Sequence, residues 1–289
     1  MNFLFNATRR RLLTGALGLA ALGVGSARAA QPLLFGTTPV FLDEQAQFLA
    51  AWQAWLTARL DRPVRFVQRA SYREILELLL EGKLDVAWLC GFPYTRHKKD
   101  LRLVAVPRYQ QAPLYRSYLV VPAEDKETRT IADLRNRVFA YSDPDSNSGW
   151  LVPQAEIRRL GQDPGHFFRK TFFTWSHRRV IEACAAGLAQ GGAVDGYIWD
   201  TLARHHPELT GATRVVWRSE TFGFPPIVGT PGMPDMQVDV LRQTFLDMEQ
   251  EPQGRRLLAL LNLSGFVAGS PSLFDGIEQN WRSLQGTHA

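Results

Sequence analysis

The sequence predicts an α/β fold made of two similar lobes joined by a double-stranded hinge. Short apolar stretches of strand character alternate with stretches whose apolar residues recur at helical spacing, which is typical of α/β folds with largely parallel sheets. The order helix, glycine, apolar strand occurs twice, in residues 72–94 and in residues 177–199. Two further strands, in residues 118–121 and 214–217, lie where the chain would cross between the two halves. Two crossings form a hinge that suits closure around a ligand.

The first half reads as a regular alternation of strands and helices. Ser71 is suited to cap a helix N-terminus, and Gly82 is suited to end the same helix. The expected elements are a strand in residues 31–37, a helix in 42–60, a strand in 64–67, a helix from Ser71 to Gly82 and a strand in 84–89.

The second half repeats this alternation around a polar turn. Its expected elements are a strand in residues 137–141, a helix in 149–160, a strand in 171–175, a helix that opens at Ser176 and His177, and a strand in 194–198 followed by another helix. We therefore expect lobe one to comprise residues 30–120 and 222–289, and lobe two to comprise residues 121–221. Ligands of open α/β sheets bind at the carboxyl ends of strands. The loops expected to line a cleft are those after residues 36, 89, 142, 175 and 198.

The first 29 residues have the pattern of an export signal. The uncharged apolar run after Arg9-Arg10-Arg11 is about 13 residues long, well short of the roughly 20 that a membrane-spanning helix needs. It ends on Ala27-Arg28-Ala29, a small-x-small cleavage pattern. Paired arginines before two leucines are typical of twin-arginine signals, and an ordinary secretory signal is the alternative. Both predict a soluble protein exported to the periplasm.

The composition excludes several classes of function. Four of the 33 basic residues and none of the 28 acidic residues lie in residues 1–29, which leaves 29 basic against 28 acidic residues. A nucleic-acid-binding protein would need a concentrated basic surface, and none is indicated. Cys90 and Cys184 are far from each other and from the cleavage site, so we expect no disulfide, no zinc site and no lipid anchor. A monomer without a metal or cofactor is expected.

A polar turn carries the strongest functional signal. Residues 142–148 read Ser-Asp-Pro-Asp-Ser-Asn-Ser and lead through a glycine into a helix. Free backbone N–H groups at a helix start, beside short hydroxyl and amide side chains, form an anion site. Capping alone explains one such side chain, but Ser146, Asn147 and Ser148 in a row exceed what capping needs. His177 opens another helix and can donate to the same anion, although alone it would read as a surface residue.

These segments resemble the phosphonate-binding proteins of phosphonate and phosphite ABC importers. The resemblance rests on residues 142–153, on Ser176-His177 and on Tyr72 with residues 84–88, and it extends over nearly the whole chain after the signal. It implies a type II periplasmic-binding-protein fold that closes two lobes over a ligand. It also implies that the protein is a solute-binding protein that delivers a small oxyanion of the phosphonate, phosphite or phosphate class to an ABC permease. The ligand-binding positions that it implies are Tyr72, Tyr115, Ser146, Asn147, Ser148 and His177.

Two features depart from the family pattern. Asn147 stands where the family usually has threonine, which keeps a donor but alters the pocket. Family members that bind aminoalkyl phosphonates have carboxylates near Leu202 and Pro225, and Asp195 and Asp200 are the nearest substitutes for them here. The resemblance therefore leaves recognition of an amine open.

Cys90 leaves a second function open. It follows the strand in residues 84–89, next to the expected cleft, where a thiol is either a small buried residue or a ligand for a thiophilic species such as arsenite. The alternative is a ligand-sensing periplasmic protein that partners a membrane histidine kinase, with an oxyanion or arsenite as signal and Cys90 in the pocket. The sequence lacks a Gly-x-Ser-x-Gly elbow, a His-Glu-x-x-His motif and a phosphate loop, so we expect no enzymatic activity.

Overall fold

The described residues form two large β-sheets and a separate two-stranded ribbon, with helices packed around the large sheets. The computed structural model describes residues 31–38 and 46–286, so the expected signal peptide and the start of the helix expected from residue 42 lie outside the described residues. The strands are β1 (Leu33–Thr37), β2 (Val64–Gln68), β3 (Val86–Trp88), β4 (Arg102–Arg108), β5 (Leu114–Tyr115), β6 (Ser117–Pro122), β7 (Val138–Tyr141), β8 (Lys170–Phe173), β9 (Gly191–Asp195), β10 (Thr213–Arg218), β11 (Phe222–Gly223), β12 (Ile227–Gly229) and β13 (Gly265–Val267).

Helices follow most of these strands, as the alternating sequence pattern predicts. They are α1 (Ala46–Leu60), α2 (Tyr72–Leu80), α3 (Gly91–His97), α4 (Val152–Arg159), α5 (Pro164–Phe167), α6 (His177–Ala185), α7 (Gly196–His205), α8 (Pro207–Gly211), α9 (Asp235–Asp247), α10 (Pro252–Leu260) and α11 (Asp275–Gln285). In the part of the chain that the structure describes, no helix combines the length and the apolar character needed to cross a membrane.

The two sheets define two lobes. Lobe one is a six-stranded sheet of order β13-β4-β12-β3-β1-β2 with helices α1–α3 and α9–α11, and lobe two is a five-stranded sheet of order β10-β6-β9-β7-β8 with helices α4–α8. Strand β1 runs parallel to β2 and β3, and β7 runs parallel to β8 and β9. The carboxyl ends of parallel strands lie at one edge of a sheet, so each lobe gathers its strand-end loops at one edge.

The two chain crossings between the lobes lie side by side. Strands β5 and β11 form a two-stranded ribbon in which Tyr115 pairs with Phe222 and Leu114 pairs with Gly223. Strand β6 pairs with β9 from Ser117 onward, so the hydrogen bonding of lobe two begins a few residues before the boundary at residue 121 that the sequence suggests.

The local signals at the start of α2 behave as expected. The Ser71 hydroxyl accepts from the Glu74 N–H, and the Glu74 carboxylate accepts from the Ser71 N–H at 3.1 Å, which completes a capping box. Such a cap contributes about 1 kcal/mol. It also fixes Tyr72 as the first helical residue, at the end of the helix that points toward lobe two.

The position predicted for the strand in residues 194–198 is wrong by about three residues. Strand β9 ends at Asp195 and α7 begins at Gly196. The pair Gly191-Gly192 looks like a turn in the sequence, but both glycines are strand residues. A Cβ on Gly191 would lie 2.4 Å from a Leu134 methyl carbon, and a Cβ on Gly192 would lie 2.4 Å from a methyl carbon of a residue on α6. Close packing, and not a turn, therefore requires these glycines.

Each lobe has its own aromatic core. In lobe one the ring centroid of Phe35 lies 5.5 Å from that of Trp52 and 5.1 Å from that of Phe66. In lobe two the Phe139 ring stacks on the Phe168 ring at 4.3 Å. Full burial of one large apolar side chain stabilises a fold by roughly 1.5–3 kcal/mol. These cores hold the two sheets, and hence their strand-end loops, in fixed positions.

Candidate functional site

The polar turn after β7 enters its helix through a π-helical turn. Residues Asn147–Leu151 are π-helical, and the Leu151 N–H donates to the Ser146 carbonyl at 3.0 Å. The Ser146 hydroxyl caps this turn by accepting from the Gly149 N–H at 2.9 Å. A Cβ on Gly149 would lie 1.9 Å from the Ser142 hydroxyl oxygen, so only glycine fits. Single π-helical turns occur frequently at functional sites.

The side chains of this turn are buried, which is unusual for a polar segment. Ser146, Asn147 and Ser148 are at most 1% exposed. Buried polar groups require hydrogen-bond partners, and several of the partners here come from the other lobe. The turn is therefore part of the contact between the lobes.

Asn147 contacts lobe one through its backbone and through its side chain. Its Nδ2 donates to the Tyr115 hydroxyl at 2.9 Å, and its backbone N–H donates to the Cys90 Sγ at 3.3 Å. Its Oδ1 is buried and has no hydrogen-bond partner among the described residues, and the same holds for the hydroxyl of Ser142. The Ser148 carbonyl accepts from the Ser117 hydroxyl at 2.7 Å, which fixes the backbone of the turn.

His177 joins the site from the start of α6. The Asp195 N–H donates to its Nδ1 at 3.1 Å, so Nδ1 carries no proton. Burial lowers the pKa of His177 to about 3, and the ring is therefore neutral at physiological pH with its proton on Nε2. The Tyr72 hydroxyl oxygen lies 3.2 Å from Nε2 and therefore accepts a hydrogen bond from the Nε2–H. The hydroxyl hydrogen of Tyr72 then remains available to donate elsewhere.

All the titratable donors of this group are neutral. Burial raises the pKa of Tyr72 and Tyr115 well above the usual value for a phenol, and it raises the pKa of the Cys90 thiol to about 12. The site consequently offers O–H, N–H and S–H groups of tyrosine, serine, asparagine, histidine and cysteine. Such groups satisfy an anion by hydrogen bonds and not by a counter-charge.

Two buried carboxyl groups border these donors. Asp195 caps α7 by accepting from the Tyr197 N–H at 2.9 Å, and burial raises its pKa to about 8. Asp143 accepts from the Tyr72 N–H at 3.2 Å, and burial raises its pKa as well. Both hydrogen bonds hold elements that carry site residues, so both carboxyl groups have positioning roles.

The structure brings all six positions implied by the resemblance to one place between the lobes. Cys90, which the sequence left either buried or in the pocket, is buried there and contacts Asn147. Its thiol is free, and so is that of Cys184, which donates weakly to the Val120 carbonyl in lobe two.

The carboxyl groups of Asp195 and Asp200 differ in their surroundings. Asp195 adjoins the donors described above, whereas the Asp200 carboxylate accepts from the Tyr109 hydroxyl at 2.6 Å and from the Tyr118 hydroxyl at 3.0 Å. Asp200 therefore already has two phenol partners, one from each lobe.

Sequence reasoning missed the contacts that cross between the lobes beside the site. Asp145 bonds to Arg73 and to Arg96, and Asp143 bonds to α2. The Asp-Pro-Asp segment before Ser146 was the available signal, but nothing in it identifies partners 49 to 72 residues away. Among the described residues, no cluster of histidine, cysteine, aspartate and glutamate is suited to hold a metal ion.

The chain is similar to known binding proteins over most of its length. Residues 35–274 match the family model described as ABC transporter, phosphonate, periplasmic substrate-binding protein. A probable ABC transporter phosphite binding protein from Prochlorococcus marinus is 19% identical over 79% of this chain and 81% of the relative. The phosphonates-binding periplasmic protein of Escherichia coli is 23% identical over 69% of this chain and 61% of the relative.

Solved structures show the same fold. A binding protein component of an ABC phosphonate transporter from Pseudomonas aeruginosa has a TM-score of 0.80 at 22% identity, covering 90% of each chain. A Prochlorococcus marinus protein in complex with methylphosphonate has a TM-score of 0.78 at 19% identity, covering 88% of this chain and 98% of that chain. The fold is thus the type II periplasmic-binding-protein fold that the sequence predicts. The chain belongs to the family of periplasmic substrate-binding proteins of phosphonate ABC transporters.

Proposed function

We propose that this protein binds a small phosphorus oxyanion of the phosphonate, phosphite or phosphate class between its lobes and delivers it to an ABC permease. One observation carries the proposal. Uncharged donors from both lobes, namely Tyr72 and Tyr115 from lobe one and Asn147, Ser148 and His177 from lobe two, are buried at one point at the strand ends.

The binding mechanism follows from the present partners of these donors. In the structure, the Asn147 amide donates to Tyr115 and the His177 Nε2–H donates to Tyr72. Oxyanion oxygens accept from these groups and from the N–H groups of the turn, in place of the contacts that the donors make with each other. A hydrogen bond to a charged group contributes about 1.5–3 kcal/mol. Several together support micromolar or tighter binding after the cost of closure.

Closure brings the two halves of the site together. Ligand docks first on lobe two, where the turn and the start of α6 present their N–H groups. Rotation about the β5–β11 ribbon then brings Tyr72 to the ligand. Residues 1–29 act as a twin-arginine export signal, and the exported chain is a periplasmic monomer.

The site favours a phosphorus oxyanion over arsenite. Thiophilic species bind thiolates, and burial raises the pKa of Cys90 to about 12, so this group stays a thiol. Cys184 bonds to Val120 inside lobe two and does not provide a second sulfur ligand. The kinase-linked arsenite sensor therefore has less support than the importer component.

The test is calorimetric titration of the mature protein with methylphosphonate, 2-aminoethylphosphonate, phosphite, phosphate, arsenite and sulfate. Tight binding of at least one phosphorus oxyanion is expected, and it should weaken tenfold or more in Ser146→Ala. The matched control is Ser270→Ala, which removes another capping serine, one that accepts from the Ser272 N–H at 3.1 Å on an exposed turn. Binding of arsenite alone, lost in Cys90→Ser, would overturn the proposal.

A further inference from the structure

A buried carboxylate beside the site is bound by two arginines of the opposite lobe. Asp145 lies in the polar turn of lobe two, and its side chain is 6% exposed. Its Oδ2 accepts from the Arg73 Nε at 3.3 Å, and its Oδ1 accepts from the Arg96 Nη1 at 3.2 Å. Arg73 belongs to α2 and Arg96 to α3, so both ion pairs cross between the lobes.

The three residues adjoin the oxyanion site without being part of it. Asp145 precedes Ser146, and Arg73 follows Tyr72. The Arg73 and Arg96 side chains are 63% and 37% exposed, and both engage the carboxylate of Asp145. They therefore influence how the lobes meet without contacting the ligand.

Arg96 is held more firmly than Arg73. Its guanidinium carbon lies 5.7 Å from the ring centroid of Phe92 and 5.4 Å from that of Trp281. The Phe92 ring in turn stacks on Trp150 of lobe two, with centroids 6.1 Å apart. Arg96 thus forms part of an aromatic contact between the lobes, whereas Arg73 extends from the exposed face of α2.

The burial of the three charges is unequal, and this determines the energetics. When the lobes close, the carboxylate of Asp145 loses nearly all its water, while both arginines keep part of theirs. A buried charge that loses a partner is strongly destabilising, whereas removing the buried charge itself is often close to neutral. Closure therefore requires the two arginines as long as Asp145 carries its charge, and it no longer requires them when that charge is removed.

We propose that Asp145 makes lobe closure conditional on both Arg73 and Arg96, so that this ionic clasp sets how long the ligand is retained. The clasp is defined by these three side chains. The retention part rests on the proposed oxyanion function, whereas the effect on closure does not require a ligand.

Closure is measured in the protein without added ligand by double electron–electron resonance between spin labels on Arg69→Cys and Arg179→Cys. Both positions are exposed. They are close in sequence to Ala70 of lobe one and Trp175 of lobe two, which line one cavity between the lobes. Both native cysteines are buried, but Cys90 lies between the lobes, so the signal of labelled protein that lacks the introduced cysteines is measured and subtracted. The ratio of the population at the short, closed distance to the population at the long, open distance is compared between variants.

The expected pattern is specific to a buried charge. Arg96→Gln lowers the closed-to-open ratio about tenfold, whereas Asp145→Asn changes it by less than about threefold. The double variant Arg96→Gln/Asp145→Asn returns the ratio to within about threefold of the wild type. Arg73→Gln, which removes the more exposed of the two partners, is expected to lower the ratio in the same direction but by less than Arg96→Gln. The control Arg59→Gln, which breaks a pair with Glu251 inside lobe one, leaves the ratio unchanged.

Retention is tested on the same variants by stopped-flow binding of methylphosphonate. Arg96→Gln is expected to raise the dissociation rate about tenfold, with the association rate nearly unchanged. Additive effects in the double variant, or distance distributions that match the wild type in Arg96→Gln, overturn the clasp whether or not methylphosphonate binds. Absence of phosphonate binding with the expected distance pattern overturns only the oxyanion function.

Discussion

Replacement of His177 by alanine tests the central hydrogen bonds of the site. The change removes the Nε2–H that points at Tyr72 and leaves the Asp195 N–H without its acceptor. A hydrogen bond from the imidazole to an oxyanion contributes about 1.5–3 kcal/mol. Because about 1.4 kcal/mol corresponds to a factor of ten in affinity, His177→Ala is expected to weaken methylphosphonate binding about ten- to hundredfold.

The assay is titration calorimetry at several pH values, with His205→Ala as the control. His205 is exposed at the end of α7. Because the pKa of His177 is lowered to about 3, no histidine titration is expected in the affinity of the wild type between pH 6 and pH 8. Affinity within threefold of the wild type in His177→Ala would refute the site. A histidine titration step near pH 6.5 that disappears in the variant would refute the assignment of a neutral ring.

Three further changes follow from the geometry. In Gly149→Ala the new methyl group would lie 1.9 Å from the Ser142 hydroxyl oxygen. Urea denaturation should therefore show that the unfolding free energy falls by about 1–3 kcal/mol, and Ser142→Gly should restore part of this loss. Unchanged stability would contradict this packing. Asn147→Asp removes the donor to Tyr115 and places a negative charge beside the oxyanion, so calorimetry should show binding about tenfold weaker or worse, while Asn147→Thr retains binding. Unfolded His177 takes up a proton below its ordinary pKa of 6.5 and the folded residue does not until about pH 3, so its contribution to stability is complete above pH 6.5 and declines as the pH falls. Relative to His177→Gln, the wild type should lose about 2 kcal/mol of unfolding free energy between pH 7 and pH 5, and a constant difference would show that the ring is not held neutral.

The parts of the fold with local causes were predictable. Ser71 was identified as a helix cap because serine is a preferred N-cap residue before an apolar helical pattern, and the structure adds the capping box with Glu74. The turn at Ser146 and Asn147 was identifiable because short polar side chains before a glycine and a helix are informative by themselves. Tyr72 and Tyr115 required the family resemblance, since nothing local marks them, whereas the position of His177 at a helix start was a local signal that was weak by itself.

The parts that depend on distant contacts were not predictable. Glycine is required at position 191 because of close packing against a leucine 57 residues earlier in the chain, and no window around Gly191 contains that information. Likewise, the sequence shows that Asp145 is acidic but not that two arginines cover it. Whether Cys90 lay in the cleft also depended on how the two lobes meet.

The position of Tyr115 links recognition to the pivot of the molecule. Its backbone pairs with Phe222 in the ribbon that joins the lobes, and its hydroxyl accepts from Asn147 across the cleft. In the proposed closure, a ligand that engages this hydroxyl contacts the ribbon about which the lobes rotate, and a small displacement there is amplified at the distant outer faces. A permease that senses the spacing of those faces can therefore distinguish loaded from empty protein without any contact with the ligand.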